Sequence, residues 1–389
     1  MTDPRARDLG VRFFGTPGPL NAITDVSGVT VGHTTLIAGE GPLVVGSGPV
    51  RTGVTAILPR GAGDPRLAFG GAFSWNGSGE VTGLIWLDER GLVEGPILIT
   101  NTHSVGVVRD AAIQWMRRHG WSFSWTTPIV GETYDGMMND IDGGHVRPEH
   151  VEAALDGAMG GPVPEGNVGG GTGMMCFEYK GGIGTASRVL PPKAGGYTLG
   201  VLVQANFGRR RRFQLGGVGS EHWLAQDMPR YADAALRPSG APWPAEDAYG
   251  GSDGGGEGDG PGPAREGSII VVVATDAPLM PHQLKRLAKR PALGVARLGG
   301  GQSGGSGDIF VAFSTANPDV SETAVDGGPA QPLQVLVNDA LDPLFEAAAD
   351  ATEEAIVNAL VAARTMEGAN RLRLTGLPHE RLVEAMRRR

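Results

Sequence analysis

A chain of 389 residues could hold about two average domains or one large α/β domain, and 40% apolar content with 64 Gly and 28 Pro supplies a sizeable core crossed by many turns. The net charge of −9 argues against a general nucleic-acid or anionic-membrane binder, since such partners demand a basic face. The single cysteine, Cys176, excludes an intramolecular disulfide framework, and no apolar stretch approaches the roughly 20 residues needed to span a bilayer.

The N-terminal stretch MTDPRARDLGVRFFGTPG has neither an apolar h-region nor a small-residue cleavage site, so the cytoplasm is the expected compartment. Short apolar runs with glycine-rich punctuation then predict strands at residues 54–58, 97–100, 174–179, 199–206, 269–275 and 309–315, most of them apolar enough to be covered on both faces. Cys176 lies inside one of these runs and reads as a buried, inert thiol. Helical spacing marks residues 105–119, where Val108, Ala112, Trp115 and Met116 share a stripe, and 148–158, where Pro148 occupies the first turn. Arg209 to Arg212 form a basic run with no aromatic ladder or basic helix beside it, the signature of a solvated loop or a subunit contact. Residues 284–298 form a basic amphipathic segment interrupted by Pro291; the longest helix spans about 339–366, and a last short one begins near Pro378. Strands early, helices between and a helical tail predict a sheet layer covered by helices on its outer faces.

One junction stands apart. The tract 238–266 is rich in Gly, Pro, Asp and Glu and cannot bury enough apolar surface to offset an ordering cost of roughly 1–2 kcal/mol per residue. Directly after Gly267 and Ser268 comes an unbroken β-branched run, Ile269 to Val273. A serine that begins a chain explains the abrupt step, because its α-amine titrates near pKa ~7.7–8 and can accept the proton of its own hydroxyl. That hydroxyl would first attack the carbonyl of Gly267, shift the acyl group from nitrogen to oxygen, and let water release the new terminus. A residue without Cβ at 267 suits the bent backbone such an attack needs. The alternative at this point is a serine that merely precedes a strand. With scission, the chain becomes an α piece, 1–267, with a flexible Gly-rich tail, and a β piece, 268–389, sharing one core in a single self-processing domain.

"EGSIIVVVATDAPL", "SGDIFVAFST", "LVQANFG", "GETYDG" and "NVGGGTGM" together resemble the DmpA/BapA family of L-aminopeptidase D-amidase/D-esterases and β-aminopeptidases, and the resemblance runs from about Asn21 to the last helix. It implies a self-processing serine aminopeptidase folded as a four-layer αββα sandwich, like N-terminal-nucleophile hydrolases but with different connectivity, and assembled as a homo-oligomer of αβ units. By the same resemblance Ser268 matches the nucleophile, Asn206 the side-chain donor of the oxyanion hole, and Ser306 and Asp308 a serine and an acid that contact the nucleophile. Tyr134 matches a phenol near the reacting carbonyl, and Glu132 is the candidate for gripping the substrate's ammonium group. The physical chemistry agrees: an amide stabilises an oxyanion without a charge, and a desolvated ammonium needs an anion.

Other motifs are set aside. "NVGGGTGM" lacks the Lys-Ser/Thr ending of a P-loop and reads as a loop bringing backbone close to the active site. "NDIDGGHV" lacks the spacing and terminal Glu of a calcium loop, and His33, His103, His119 and His145 show no ligand spacing, so neither metal nor cofactor is expected. The expected partner is a small peptide, amide or ester with a free N-terminal amine. Acyl transfer to another amine and a non-processed binding protein of the same fold are the alternatives.

Overall fold

In the computed structural model, which describes residues 4–121, 125–219, 223, 227–241, 267–323 and 328–387, the β-branched run after Ser268 is an inner strand of a six-stranded sheet. In spatial order that sheet is β4 (Leu92–Val93), β3 (Ala68–Gly77), β13 (Gly307–Ser314), β12 (Ser268–Thr275), β10 (Thr198–Asn206) and β9 (Gly182–Val189). Strands β12 and β13 run parallel, while β10 pairs antiparallel with β12 and places Asn206 opposite Ser268. A four-stranded sheet, β1 (Thr30–Ala38), β2 (Val50–Leu58), β5 (Ile97–Asn101) and β6 (Ile129–Thr133), packs against it.

Alternation along β12 explains why every residue of it is buried. Ile270, Val272 and Ala274 meet Ile57, Ile99 and Ile129 between the two sheets, whereas Ile269, Val271 and Val273 join the core under the helices. The outer face of the large sheet carries α4 (Pro281–Leu287), α5 (Pro291–Arg297) and the long α6 (Asp342–Ala362). The small sheet carries α2 (Val105–Arg118) and α3 (Pro148–Asp156), whose Val108, Ala112, Trp115 and Val151 meet Val54, Ala56 and Leu98. Helix, sheet, sheet and helix stack in that order. Two further helices, α1 (Leu84–Arg90) and α7 (His379–Arg387), sit outside this stack in sequence, one linking β3 to β4 and one ending the described chain.

Strands β1, β3, β6 and β9 carry no apolar run and escaped the sequence reading. Glycine is part of the reason: at Gly184 of β9 a Cβ would collide with the Ala355 carbonyl and lie 2.7 Å from Ala359 N, so the bare backbone lets the alanine-rich face of α6 rest on the sheet. The expected segment 284–298 splits into two helices, with Pro291 opening the second, as its missing N–H dictates.

Two expectations need correction. Residues 174–179 are not one strand but part of a hairpin, β7 (Met175–Cys176) and β8 (Tyr179–Lys180), which turns through Phe177 and Glu178 at φ 49 and 59, the left-handed pair that a two-residue hairpin requires. Within the run 209–212, Arg210 is not solvated: it is fully buried, with its guanidinium 3.5 Å from the centre of the Tyr179 ring. Cys176 is free and buried, and desolvation pushes its thiol up. A small sheet of β11 (Arg230–Tyr231), β15 (Leu372–Leu374) and β14 (Met366–Glu367) completes the fold. Of the Gly-rich tract, residues 242–266 lie outside the described residues. Among the described residues no helix is long and apolar enough to cross a membrane, and no group of His, Cys, Asp and Glu could hold a metal ion.

Candidate active site

The sandwich brings several strand ends to one rim. β12 and β13 begin there, while the antiparallel β10 and β3 end there, so Ser268, Gly307, Asn206 and Asn76 become neighbours across the large sheet. Ser268 is 6% exposed, and its Oγ accepts a hydrogen bond from Gly307 N–H at 3.2 Å. The hydroxyl is thereby held in place by the backbone of the adjacent parallel strand.

Ser306 stands beside the peptide bond that precedes Ser268. Its hydroxyl donates to the Gly267 carbonyl and, in a competing arrangement, to Asp308 Oδ1 at 2.6 Å. A hydroxyl has one proton, so these two acceptors share it in turn. The second carboxylate oxygen, Asp308 Oδ2, accepts from Asn76 Nδ2 at 2.6 Å. A β-bulge between Asp308 and Ile309 sets Asn76 opposite Asp308 by skipping Trp75 on β3. Sequence reasoning missed Asn76, because β3 offered no apolar run from which to place it.

Asn206 closes the other side of Gly267. Its Oδ1 accepts from Met175 N–H at 2.8 Å and its Nδ2 donates to Tyr134 O at 2.9 Å, which fixes which end of the amide is the donor. A Cβ on Gly267 would overlap Asn206 O and stand 2.7 Å from Nδ2, so the Gly267–Ser268 peptide lies directly against that donor.

Glu132, on β6 of the small sheet, faces this cluster across the segment after β3. Ser78 N–H donates to Ser306 O, while Glu80 N–H donates to Glu132 Oε1 at 2.9 Å, and Thr102 Oγ1 donates to Oε2 at 2.5 Å. Gly79 between them is the point of closest approach, since a Cβ there would lie 3.0 Å from Glu132 Oε1 and 3.2 Å from Gly307 Cα. Burial raises the carboxyl of Glu132 above its ordinary range, against the opposing pull of the two donors. Tyr134 follows on the same segment. Its carbonyl serves Asn206, whereas its ring packs over Gly136 and is 46% exposed.

Two buried ionisable groups lie behind the rim that the sequence reading did not single out. Asp135, 1% exposed, accepts from Asn139 Nδ2, and desolvation carries it up to about 6. Lys180, 0% exposed, is surrounded by backbone carbonyls, and desolvation lowers it to about 7. Asp135 falls inside the GETYDG motif, which pointed to Glu132 and Tyr134 but not to it, and Lys180 lies just beyond the apolar run 174–179, in none of the family motifs.

Comparison with known proteins agrees with this architecture. Residues 21–373 match the family model described as Peptidase family S58. A curated relative named β-peptidyl aminopeptidase BapA, from Sphingosinicella microcystinivorans, is 52% identical over 97% of this chain and 91% of its own. A solved structure of a Burkholderia sp. β-aminopeptidase superimposes with a TM-score of 0.84 at 46% identity, covering 99% of both chains. A second, an L-aminopeptidase D-Ala-esterase/amidase from Ochrobactrum anthropi described as a new variant of the Ntn hydrolase fold, gives 0.83 at 41% identity, covering 99% of this chain and 98% of that one.

Proposed function

Because the chain belongs to peptidase family S58, we propose that Ser268 is its nucleophile and that the chain itself liberates Ser268 by cutting the Gly267–Ser268 bond. The protein is an aminopeptidase-type hydrolase of the Ntn class. The observation that carries the assignment is the meeting of three groups at one peptide: Gly307 N–H on Ser268 Oγ, Ser306 Oγ on the Gly267 carbonyl, and the Asn206 amide against Gly267.

In scission, Ser268 Oγ attacks the Gly267 carbonyl carbon. Charge develops on the carbonyl oxygen where Ser306 donates, with Asn206 Nδ2 close by. The C–N bond breaks as the hydroxyl proton passes to the departing nitrogen, which leaves an ester. Water then hydrolyses the ester to the Gly267 carboxylate, a free Ser268 hydroxyl and a free α-amine. The products are the α chain, 1–267, and the β chain, 268–389.

In turnover the new α-amine accepts the Ser268 hydroxyl proton as Oγ attacks a substrate carbonyl. Asn206 Nδ2 stabilises the oxyanion without a charge, and the Tyr134 phenol donates from the solvent side of the rim. Asp308, held by Asn76, orients Ser306 and balances the α-ammonium when it forms. Glu132 binds the ammonium of the substrate, since it is buried and the two donors that hold it are neutral. The leaving amine departs and water releases the acyl group. The substrates are short peptides, amides or esters with a free N-terminal amine; the names of the relatives support N-terminal β-amino residues among them. In this reading the αβ units associate with copies of themselves.

Electrophoresis of freshly folded protein tests the scheme. Two bands should replace one, and Edman sequencing of the smaller should read Ser-Ile-Ile-Val. Ser268→Ala should stay full length and inactive; full turnover by an uncut chain would overturn the proposal.

A further inference from the structure

The Asn206 amide is the last link of a longer chain of hydrogen bonds. Its Oδ1 accepts from Met175 N–H. The carbonyl of that same peptide unit, Met174 O, accepts from Lys180 Nζ at 2.6 Å and from Gly181 N–H at 2.9 Å. Lys180 lies opposite Met175 in the β7–β8 hairpin, and its ammonium also reaches Gly181 O at 2.8 Å and Gly171 O at 3.4 Å. Two of the three carbonyls come from the "NVGGGTGM" loop, so that glycine-rich stretch wraps a cation contributed by the hairpin.

We propose that Lys180 is a positioning residue for the reaction: its buried ammonium polarises the Met174–Met175 peptide, and through it the Asn206 carboxamide, so that Nδ2 is aimed and strengthened as the oxyanion donor. The proposal rests on the assignment of Asn206 given above.

The argument turns on what the lysine adds. Met174 O already has a partner in Gly181 N–H, so an apolar side chain at 180 would leave that carbonyl satisfied. Burying an ammonium is costly even when its donors are all met. What the charge adds is electrostatic: in a low-dielectric interior, linked hydrogen bonds polarise one another by roughly 10–30% per bond. An ammonium on the carbonyl makes the peptide N–H a better donor to Asn206 Oδ1. The carboxamide N–H then becomes a better donor in its turn.

The sign of the pH effect follows. The Ser268 α-amine must be neutral to act as base, so its contribution to kcat rises with pH. Lys180 acts as a cation, and its contribution is present below its own titration, near pH 7, and lost above it. The ionisable groups that face it are Asp135 after β6, whose carboxylate favours the cation, and Cys176 in the hairpin, which burial keeps as a neutral thiol.

The test measures kcat and KM against pH with an aminoacyl p-nitroanilide, per cleaved chain, for Lys180→Met and for Lys180→Gln, which keeps a neutral donor. Both should lose about two- to eightfold in kcat, with KM within about twofold, and both should lose the falling alkaline limb of the wild-type kcat profile; removal of a whole oxyanion donor costs more, about 10²–10³-fold. A lowered melting temperature with unchanged kcat and an intact alkaline limb would assign Lys180 a merely structural role and overturn the proposal. Should neither variant fold, wild-type profiles with two substrates whose amines titrate at different pH decide: a kcat fall at the same pH for both supports it, and no fall, or one that follows the substrate amine, overturns it. Failure of the underlying reading looks different, as no scission before Ser268 or undiminished turnover in Asn206→Ala.

Discussion

Replacing Gly267 by alanine separates the making of the enzyme from its working. An added Cβ would overlap Asn206 O and approach Nδ2 to 2.7 Å, well inside the about 3.5–4.0 Å at which such atoms rest. Asn206 cannot easily give way, because it is paired with Ser268 in the sheet and its side chain is tied to Met175 and Tyr134. Residue 267 must therefore retreat by about 1 Å, which draws its carbonyl away from Ser306 Oγ. Misplacing a reacting group by that much costs on the order of 10²-fold, or about 2.7 kcal/mol of barrier at 1.36 kcal/mol per decade. A gel time course after synthesis in a cell-free system should show Gly267→Ala cut about a hundred times more slowly than wild type. In the proposed scheme residue 267 ends the α chain as its carboxyl terminus and takes no part in the acyl chemistry of turnover, so turnover per cleaved chain should match wild type. Scission of Gly267→Ala within twofold of the wild-type rate would refute the placement of the Gly267 carbonyl between Ser306 and Asn206.

Glu132→Gln should lower kcat/KM for substrates with a free amine by about 10–100-fold, the worth of a charge-assisted hydrogen bond of roughly 1.5–3 kcal/mol, while leaving scission near its normal rate because the precursor offers no ammonium there. In the wild type that binding is present above the raised titration of Glu132 and lost as pH falls through it, an acid limb that kcat/KM profiles of the variant should lack. Asp135 is buried with its titration raised from 3.8 to about 6, so it costs nothing below its unfolded value and about 3 kcal/mol above its folded one. Stability from urea unfolding should thus fall by about 2 kcal/mol between pH 4 and 6 on account of Asp135, and Asp135→Asn should remove this part of the slope; identical slopes in the two proteins would rule it out.

Part of the candidate site was legible from local pattern and part only through the family resemblance. Ser268 stood out at a step from a polar tract into a β-branched run, whereas Asn206, Ser306 and Asp308 were reached through motifs shared with the DmpA/BapA family, at the end of one apolar run and in a turn that enters another. The strands that carry Glu132 and Asn76 were not legible. In residues 129–133 and 68–77 glycine and polar residues break the apolar ones into pairs and singles, because their faces meet helix backbone, a carboxylate or the opposing sheet, and no periodicity records that.

Composition and local pattern by themselves determined the class of fold, the covered strands, the long C-terminal helix and the serine at the head of a strand, since burial on two faces and helical spacing are written into neighbouring residues. Which groups meet was decided only by folding. Lys180 touches Asn206 through one peptide, Asn76 grips Asp308 from more than two hundred residues away, and Glu132 comes within one glycine of Gly307. Strand register, a bulge and the crossing of two sheets set these distances, and such quantities arise from contacts between segments, where no single stretch of chain holds the information.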